Sequence, residues 1–123
     1  GLHNGWTEFA PLDGEAPWDT FAANSSDDVV MQLDRGNCLH GGADAMGFLR
    51  KWAHRGRSIH LKEHSAANPK ALVGEGDVPW REVFEVCAAA GNTEWFVVEQ
   101  EVYPYPPLES VERCLRFLRN LGQ

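Results

Sequence analysis

The sequence is poor in positive charge, in long apolar runs and in cysteine. Its 123 residues carry 11 lysines and arginines against 18 aspartates and glutamates, which gives a net charge of −7. Nucleic-acid binding requires clustered basic side chains that neutralise phosphates, so this balance argues against a nucleic-acid partner. No run approaches the roughly 18 apolar residues of a membrane span, so we expect no membrane contact either.

Cysteine and the common catalytic motifs are also scarce. The three cysteines, Cys38, Cys87 and Cys114, are odd in number and show no CxxC spacing. This favours buried reduced thiols, and therefore a reducing compartment, for which we expect the cytoplasm. GxSxG, GxGxxG and zinc-finger spacings are absent from the sequence. Apolar residues still make up 43% of the chain, with five tryptophans and six phenylalanines, which is enough for the core of one domain or part of one.

Strand-like and helix-like segments alternate four times along the chain. Strands are predicted where β-branched, apolar runs end in polar residues, at residues 1–5, 28–34, 57–62 and 95–99. Helices are predicted where apolar residues recur at helical spacing and glycine or proline flanks them. A short helix is predicted around Trp18 and Phe21, and longer helices are predicted over residues 43–55, from Pro79 to Gly91 and over about 108–121.

This alternation predicts an α/β fold with a parallel sheet and right-handed crossovers. Four βα units make half of a (β/α)8 TIM barrel, whose usual length is about 250 residues. A free-standing, flavodoxin-like sheet of four strands is the alternative. Because residues 1–5 look like the end of a strand, we expect residues 1–123 to be a half barrel.

Polar residues that directly follow the apolar runs are the candidates for chemistry. Asp34, His60 and Glu99 each end such a run, and the carboxyl ends of parallel strands share one edge of the sheet. Oxygen and nitrogen ligands of this kind suit Mn²⁺, Co²⁺, Mg²⁺ or Zn²⁺. Taken alone, the aspartate could cap a turn and the histidine could be structural. A carboxylate after an apolar strand is costly unless paired or metal-bound, which makes Glu99 the strongest candidate.

Neighbouring polar residues extend this site. Lys62 lies on the same side of its strand as His60 and is interpreted as a cation that faces the substrate. Glu101 shares a side with Glu99, although a solvated loop carboxylate explains it equally well.

Other polar features receive a plainer interpretation. The acidic turn at residues 74–77 would repel phosphate and is predicted to shape one wall of the pocket. His40, His54 and His64 are interpreted as surface or loop residues.

Several segments, taken together, resemble the xylose isomerase-like TIM barrels, the superfamily of sugar phosphate isomerases and epimerases and of AP endonuclease family 2. The similarity is to the branch with an HNHxxEF motif, and it runs in the same order over nearly the whole chain. The matching segments are residues 3–9 (HNGWTEF), 12–14 (LDG), 29–37 (VVMQLDRGN), 58–63 (SIHLKE), 73–80 (VGEGDVPW), 95–101 (WFVVEQE) and 107–110 (PLES). The resemblance implies the C-terminal half of such a barrel.

The resemblance implies a metal held by Glu, Asp, His and Glu from successive strand ends. Asp34, His60 and Glu99 match three of these positions. Glu8 is chosen as the fourth ligand, with His3 as the competitor because it is nearer to the strand end. Gly5 stands where the family usually has a second histidine, which implies altered specificity or weaker activity.

The implied function is a divalent-metal-dependent isomerase or epimerase that acts on a keto-sugar through an enediolate, with Mn²⁺ as the first choice of ion. The implied catalytic residues are Glu99, Glu8 and Lys62. The implied substrate-binding residues are His3, Asn4, Asn37, Lys62 and Glu101.

Alternatives to this function remain open. A lyase or hydratase that performs β-elimination on a 3-keto-sugar or inosose would share the metal and the enediolate. Endonuclease chemistry is disfavoured because it needs a trinuclear zinc cluster and a basic groove. A half barrel also leaves two sheet edges open. We therefore expect a homo-oligomer or association with an N-terminal half barrel, and a non-catalytic half-barrel subunit is a further alternative.

Overall fold

Strands and helices alternate along the chain in the order that the sequence predicts. The computed structural model describes residues 1–122. The strands are β1 (Leu2–His3), β2 (Met31–Asp34), β3 (Ser58–Leu61) and β4 (Trp95–Val98). The helices are α1 (Pro17–Asn24), α2 (Arg35–His40), α3 (Ala45–Trp52), α4 (Trp80–Ala90) and α5 (Pro107–Asn120), and 3₁₀ turns lie at Thr7–Phe9 and Ala53–Arg55.

The strands form one parallel sheet in the order β1-β2-β3-β4. Each strand pairs with the next one in the sequence, and the register places Asp34 opposite His60. Right-handed crossovers between successive neighbours put every connecting helix on the same face of a sheet. This is the arrangement of a barrel wall, whereas a flavodoxin-like sheet reverses its strand order at a switch point.

Helix α2 is the one α-helix over residues 1–122 that the sequence pattern did not predict. It begins where β2 ends, because the Oδ1 atom of Asp34 caps it and accepts a hydrogen bond from the N–H of Asn37 at 2.7 Å. Gly36 in its first turn weakens the helical signal. Its first residue, Arg35, is fully buried, and burial lowers the pKa of its guanidinium to about 10.

The hydrophobic core joins β2 and β3 to helices α1–α5, and Leu2 of β1 packs against it. Its largest fully buried side chains include Trp18, Met31, Leu49, Ile59, Leu61 and Val83. All three cysteines are buried and free, as predicted. Burial raises the pKa of the Cys38 thiol to about 12, so this thiol is protonated at neutral pH.

The β4 edge of the sheet is exposed. Trp95, Phe96 and Val97 on β4 are accessible to solvent, and so are Leu108 and Leu115 on α5. A TIM barrel covers such an edge with the next βα unit, since closure removes the free edges of a sheet. Within residues 1–122, no helix is both long enough and apolar enough to cross a bilayer.

Candidate metal centre

Four side chains meet at the carboxyl edge of the sheet. His3, Asp34, His60 and Glu99 come from the ends of β1, β2, β3 and β4, and one ligand atom of each lies within 4.8 Å of the ligand atoms of the others. Parallel strands in direct succession bring their ends to a common edge, which explains how residues so far apart in sequence converge. The structure therefore brings Asp34, His60 and Glu99 together, as the sequence predicted.

Most of the distances between these atoms are close to those of a coordination shell. The Nε2 atom of His3 lies 3.5 Å from the Oδ2 atom of Asp34 and 3.9 Å from the Oε2 atom of Glu99. The Nδ1 atom of His60 lies 3.6 Å from that Asp34 oxygen and 2.5 Å from the Glu99 oxygen. Ligands at about 2.1 Å from a tetrahedral ion are separated by roughly 3.4 Å. Three of these four distances lie within about half an ångström of that value.

The two oxygens of the Asp34 carboxylate differ in their hydrogen bonding. Its Oδ1 atom caps α2, whereas its Oδ2 atom is fully buried and accepts no hydrogen bond from residues 1–122. Burial is the main reason that the pKa of this carboxyl is raised. A buried carboxylate oxygen without a partner is costly, and a divalent cation between two imidazoles and two carboxylates would compensate it. The residues present therefore fit a metal ion.

Lys62 forms ion pairs with Glu101 and Glu99 beside the group of four and affects the pKa of Glu99. Its Nζ atom lies 2.6 Å from Glu101 and 3.7 Å from Glu99. Burial alone would raise the pKa of the Glu99 carboxyl, but Lys62 and the hydrogen bond with His60 outweigh it and hold that pKa below its usual value. Burial would likewise lower the pKa of Lys62, yet Glu101, Asp34 and Glu99 together raise it. Both groups are therefore charged at neutral pH.

Gly36 allows this close approach of Lys62 to the centre. A Cβ atom on Gly36 would lie 2.7 Å from Cγ of Lys62 and 2.9 Å from the carbonyl oxygen of Glu63. The second contact is with backbone, so the chain itself would have to shift. We expect Gly36→Ala to lower the free energy of unfolding by roughly 1–3 kcal/mol. This loss exceeds the stabilisation of about 1 kcal/mol that alanine normally gives in place of a glycine within a helix.

Urea denaturation measures this change, and Gly5→Ala is the matched control. A Cβ on Gly5 meets only Oε2 of Glu8, at 3.3 Å, so the control is expected to stay within about 0.5 kcal/mol of the parent. Equal stability of the two variants would show that the contact at Gly36 is relieved without cost.

The fourth member of this group is His3, and Glu8 is not part of it. Glu8 lies in the 3₁₀ turn Thr7–Phe9, where its Oε2 atom accepts a weak hydrogen bond from the Thr7 hydroxyl at 3.3 Å. It is outside the group of four, and the imidazole of His3 packs against that of His60 with ring centroids 4.3 Å apart. The reason is local, because β1 ends at His3 and only a residue at that end can point into the shared edge.

Asn4, predicted to bind substrate, has a different role. It is fully buried, and its side chain both accepts from the N–H of Asp34 at 2.7 Å and donates to the carbonyl of Asp34 at 2.9 Å. These two bonds continue the pairing of β1 with β2 beyond the last strand residue. Asn4 therefore holds the backbone of a ligand, and no surface of it is available to a substrate.

A cavity of about 510 Å³ opens beside the metal centre. Asn37, Lys62 and Glu101, all predicted from the sequence, line it together with Gly5 and Trp6. A volume of this size accommodates a small polar molecule.

The sequence interpretation missed several residues that line this cavity. His40 and His64 do so, although both were interpreted as ordinary surface or loop residues, and Ser65, Asn68 and Pro69 complete one wall. The acidic turn at residues 74–77, predicted to shape a wall, does not reach the cavity. It lies behind the wall, where Asp77 bonds to His64 and Ala66. Periodicity carries no signal for such loop residues.

Comparison with known proteins finds a relative by sequence and solved structures that share this fold. No family model matches the sequence. The chain is 31% identical over 112 residues to an inosose dehydratase of Geobacillus thermodenitrificans (strain NG80-2), and this match covers 75% of the chain and 38% of that protein. Two solved structures of a sugar phosphate isomerase/epimerase from Parabacteroides distasonis ATCC 8503 match 95% of the chain. Their TM-scores are 0.81 and 0.77, with sequence identities of 21% and 22%.

The chain spans less than half of each of these relatives. It covers 45% and 44% of the two solved chains and 38% of the dehydratase. A four-stranded parallel sheet that overlays on half of a TIM barrel confirms the α/β half-barrel prediction and excludes the flavodoxin-like alternative.

Proposed function

On a chain that has the fold of half a xylose isomerase-like TIM barrel, we propose that His3, Asp34, His60 and Glu99 hold a divalent metal ion for the isomerisation or epimerisation of a keto-sugar. The observation that carries this proposal is the buried, unpartnered Oδ2 atom of Asp34 within a group of four ligand atoms. Mixed imidazole and carboxylate ligands suit Mn²⁺, our first choice, and also Co²⁺, Zn²⁺ or Mg²⁺. When bound, such an ion supplies Lewis-acid polarisation of a substrate carbonyl.

The proposed chemistry is proton transfer at the carbon next to that carbonyl. Glu99 is ionised at neutral pH because its pKa is held low, so its carboxylate can accept the proton and return it. Lys62 stays cationic and stabilises the negative oxygen of the enediolate that results. Glu8, whose Oε2 atom would lie 3.3 Å from a Cβ on the cavity-lining Gly5, is the proposed second proton carrier.

Substrate hydroxyls would be held by the polar lining of the cavity. We assign contacts to Asn37, Lys62 and Glu101, which line it, and to His3, whose side chain is 38% exposed. Gly5 leaves room where a larger residue would narrow the entrance, because a Cβ there meets a single atom within 4 Å. This space supports an altered substrate preference.

The second candidate function is a lyase or hydratase that performs β-elimination on a 3-keto-sugar or an inosose. The relative at 31% identity is an inosose dehydratase, which favours this alternative. Both reactions begin with the same proton removal. In isomerisation or epimerisation a proton is then returned to carbon, whereas in β-elimination it goes to the β-hydroxyl, which leaves as water, so the same residues serve either one.

The chain is further proposed to be the C-terminal half of its barrel. The exposed apolar residues of β4 and α5 support association with an N-terminal half barrel or with a second copy. The three buried free thiols support a reducing location, for which we propose the cytoplasm.

Proton exchange tests the function directly. The protein with Mn²⁺ is incubated in D₂O with a keto-sugar or an inosose and followed by proton NMR. Loss of the signal next to the carbonyl is expected for isomerisation or epimerisation, and an unsaturated product is expected for β-elimination. Mn²⁺ binding without either change would contradict catalysis and support the non-catalytic half-barrel subunit.

Lys62→Met tests the proposed stabilisation of the enediolate. We expect the exchange rate to fall about 100- to 1,000-fold, since removal of a single donor that stabilises a developing oxyanion costs about that much. Metal affinity should change little, because Lys62 is not one of the four ligands. Lys70→Met, which removes an exposed lysine outside the cavity lining, is the matched control. An unchanged rate in Lys62→Met would remove Lys62 from the mechanism.

A further inference from the structure

We propose that Glu63 is a positioning residue that holds the cavity wall of residues 64–71 in place for substrate binding. This inference rests on the proposed function for the identity of the substrate, and on geometry alone for the role of the carboxylate. Glu63 directly follows Lys62 at the end of β3 and is half-buried.

The carboxylate of Glu63 accepts four hydrogen bonds. Its Oε1 atom accepts from the N–H of His64 at 3.0 Å and of Val78 at 3.1 Å. Its Oε2 atom accepts from the N–H of Gly74 at 2.8 Å and from the indole N–H of Trp80 at 2.7 Å. The donors come from both ends of the segment between β3 and α4, so one side chain ties the start of this loop to its finish.

This segment needs such an anchor. Residues 64–79 contain no strand or helix, and structureless connections longer than about 12–15 residues are either functional or mobile. Ordering each residue costs roughly 1–2 kcal/mol of backbone entropy at room temperature. Charge-assisted hydrogen bonds are about twice as strong as neutral ones and offset part of that cost.

The loop packs closely around this carboxylate. A Cβ atom on Gly76 would lie 2.6 Å from Oε1 of Glu63 and 2.4 Å from the carbonyl oxygen of His64. Asp77 makes a second tie, since its N–H donates to the His64 carbonyl at 2.7 Å and its Oδ2 atom accepts from the N–H of Ala66 at 2.9 Å. Glu63 and Asp77 therefore fix the first residues of the wall, Glu63 as a member of the cavity lining and Asp77 from outside it.

The wall that they fix faces the cavity. The lining includes Glu63 itself, the loop residues His64, Ser65, Asn68, Pro69 and Ala71, and also Trp6 and His40. A binding site that is already ordered avoids the entropy cost of ordering it on ligand association. Glu63 is outside the group of four metal ligands, so its effect on substrate should be separable from any effect on the metal.

Glu63→Gln is the decisive variant, because one oxygen becomes an NH₂ group that cannot accept from two of the four donors. Hydrogen exchange of residues 64–80, measured by mass spectrometry without metal or substrate, should accelerate at least about tenfold. The affinity of the Mn²⁺-loaded protein for an inosose, measured by calorimetry, should fall about tenfold, while the affinity for Mn²⁺ alone stays within about threefold of the parent.

Two further variants keep the test interpretable. Asp77→Ala changes an exposed residue, should fold normally, and should accelerate exchange around residues 64–66 in the same way. Glu85→Gln makes the same chemical change on an exposed position of α4 and should alter neither readout. Unchanged exchange at residues 64–71 in Glu63→Gln would overturn the proposal. Faster exchange with unchanged inosose affinity would reduce Glu63 to a purely structural residue.

The exchange measurement separates this proposal from the proposed function. If the parent protein bound neither Mn²⁺ nor an inosose, the function would fail, and faster exchange in Glu63→Gln would still show that the carboxylate holds the wall. If the parent bound both and Glu63→Gln left exchange unchanged, the positioning role would fail and the function would stand.

Discussion

Asp34→Asn is expected to abolish specific Mn²⁺ binding and, at the same time, to leave the metal-free protein as stable as the parent or more so. The variant keeps an oxygen that can cap α2 in place of Oδ1, but it loses the charge on the buried, unpartnered Oδ2 atom. An amide is a poor ligand for a divalent ion, and its NH₂ group would point toward the two histidines. Calorimetric titration with Mn²⁺ measures the loss of binding.

The expected stability of the metal-free Asp34→Asn variant follows from the pKa of Asp34. Burial raises this pKa in the folded protein above its unfolded value of 3.8. The folded state therefore favours the protonated form, and the associated stability is present below about pH 4 and is lost as the pH rises through the folded pKa. Asparagine cannot ionise, so the variant does not lose this stability at neutral pH.

Thermal unfolding with and without metal reports both effects. For the parent, Mn²⁺ at a hundredfold excess over its Kd should add about 2.7 kcal/mol, or roughly 10 °C in Tm, and the variant should gain nothing. Asp28→Asn, at an exposed position before β2, is the matched control and should respond to Mn²⁺ like the parent. Parent-like Mn²⁺ affinity in Asp34→Asn would contradict the metal centre.

Asn4→Ala should cause the largest loss of stability among the site variants. It removes the two hydrogen bonds that hold the backbone of Asp34 and leaves a buried N–H and a buried carbonyl without partners. Each such group costs about 1–3 kcal/mol, so we expect a total of roughly 2–5 kcal/mol in the free energy of unfolding. Urea denaturation measures this quantity.

The same variant should also weaken metal binding. Residues that orient a ligand from behind typically contribute 10- to 100-fold in metal affinity, and we expect a loss in Mn²⁺ affinity of about that size. Asn24→Ala removes one hydrogen bond at the exposed end of α1 and should change neither property by a measurable amount. If Asn4→Ala retained parent-like affinity, the position of Asp34 would be fixed by the strand alone.

Much of the fold could be predicted because its signals are local. The apolar runs before Asp34, His60 and Glu99 and the apolar stripes of α3, α4 and α5 repeat at the spacing of their own element. Helix α2 was missed because its start depends on a cap from Asp34 and its first turn contains Gly36, and neither produces a periodic pattern.

The candidate site could be predicted as far as the ends of the strands could be predicted. Once four parallel strands follow each other, whatever polar residue ends each strand must lie on the same edge, and three of the four clustered residues were found in this way. Asn4 was misassigned because its fully buried position and its bonds to Asp34 are not visible in a motif. The walls of the cavity come from loop residues such as His40 and His64, whose sequence carries no distinguishing mark.

The sequence by itself determined the alternation of strands and helices, the parallel half barrel, and the identity of Asp34, His60 and Glu99 as residues at strand ends. Tertiary structure alone decided that β1 stops at His3, so that His3 and not Glu8 completes the group. It also decided that the Glu63 carboxylate bonds to both ends of the loop that forms the cavity wall. The physical reason is that periodicity fixes which side of its own element a residue occupies, whereas register, buried hydrogen bonds and loop paths depend on residues far away in the chain.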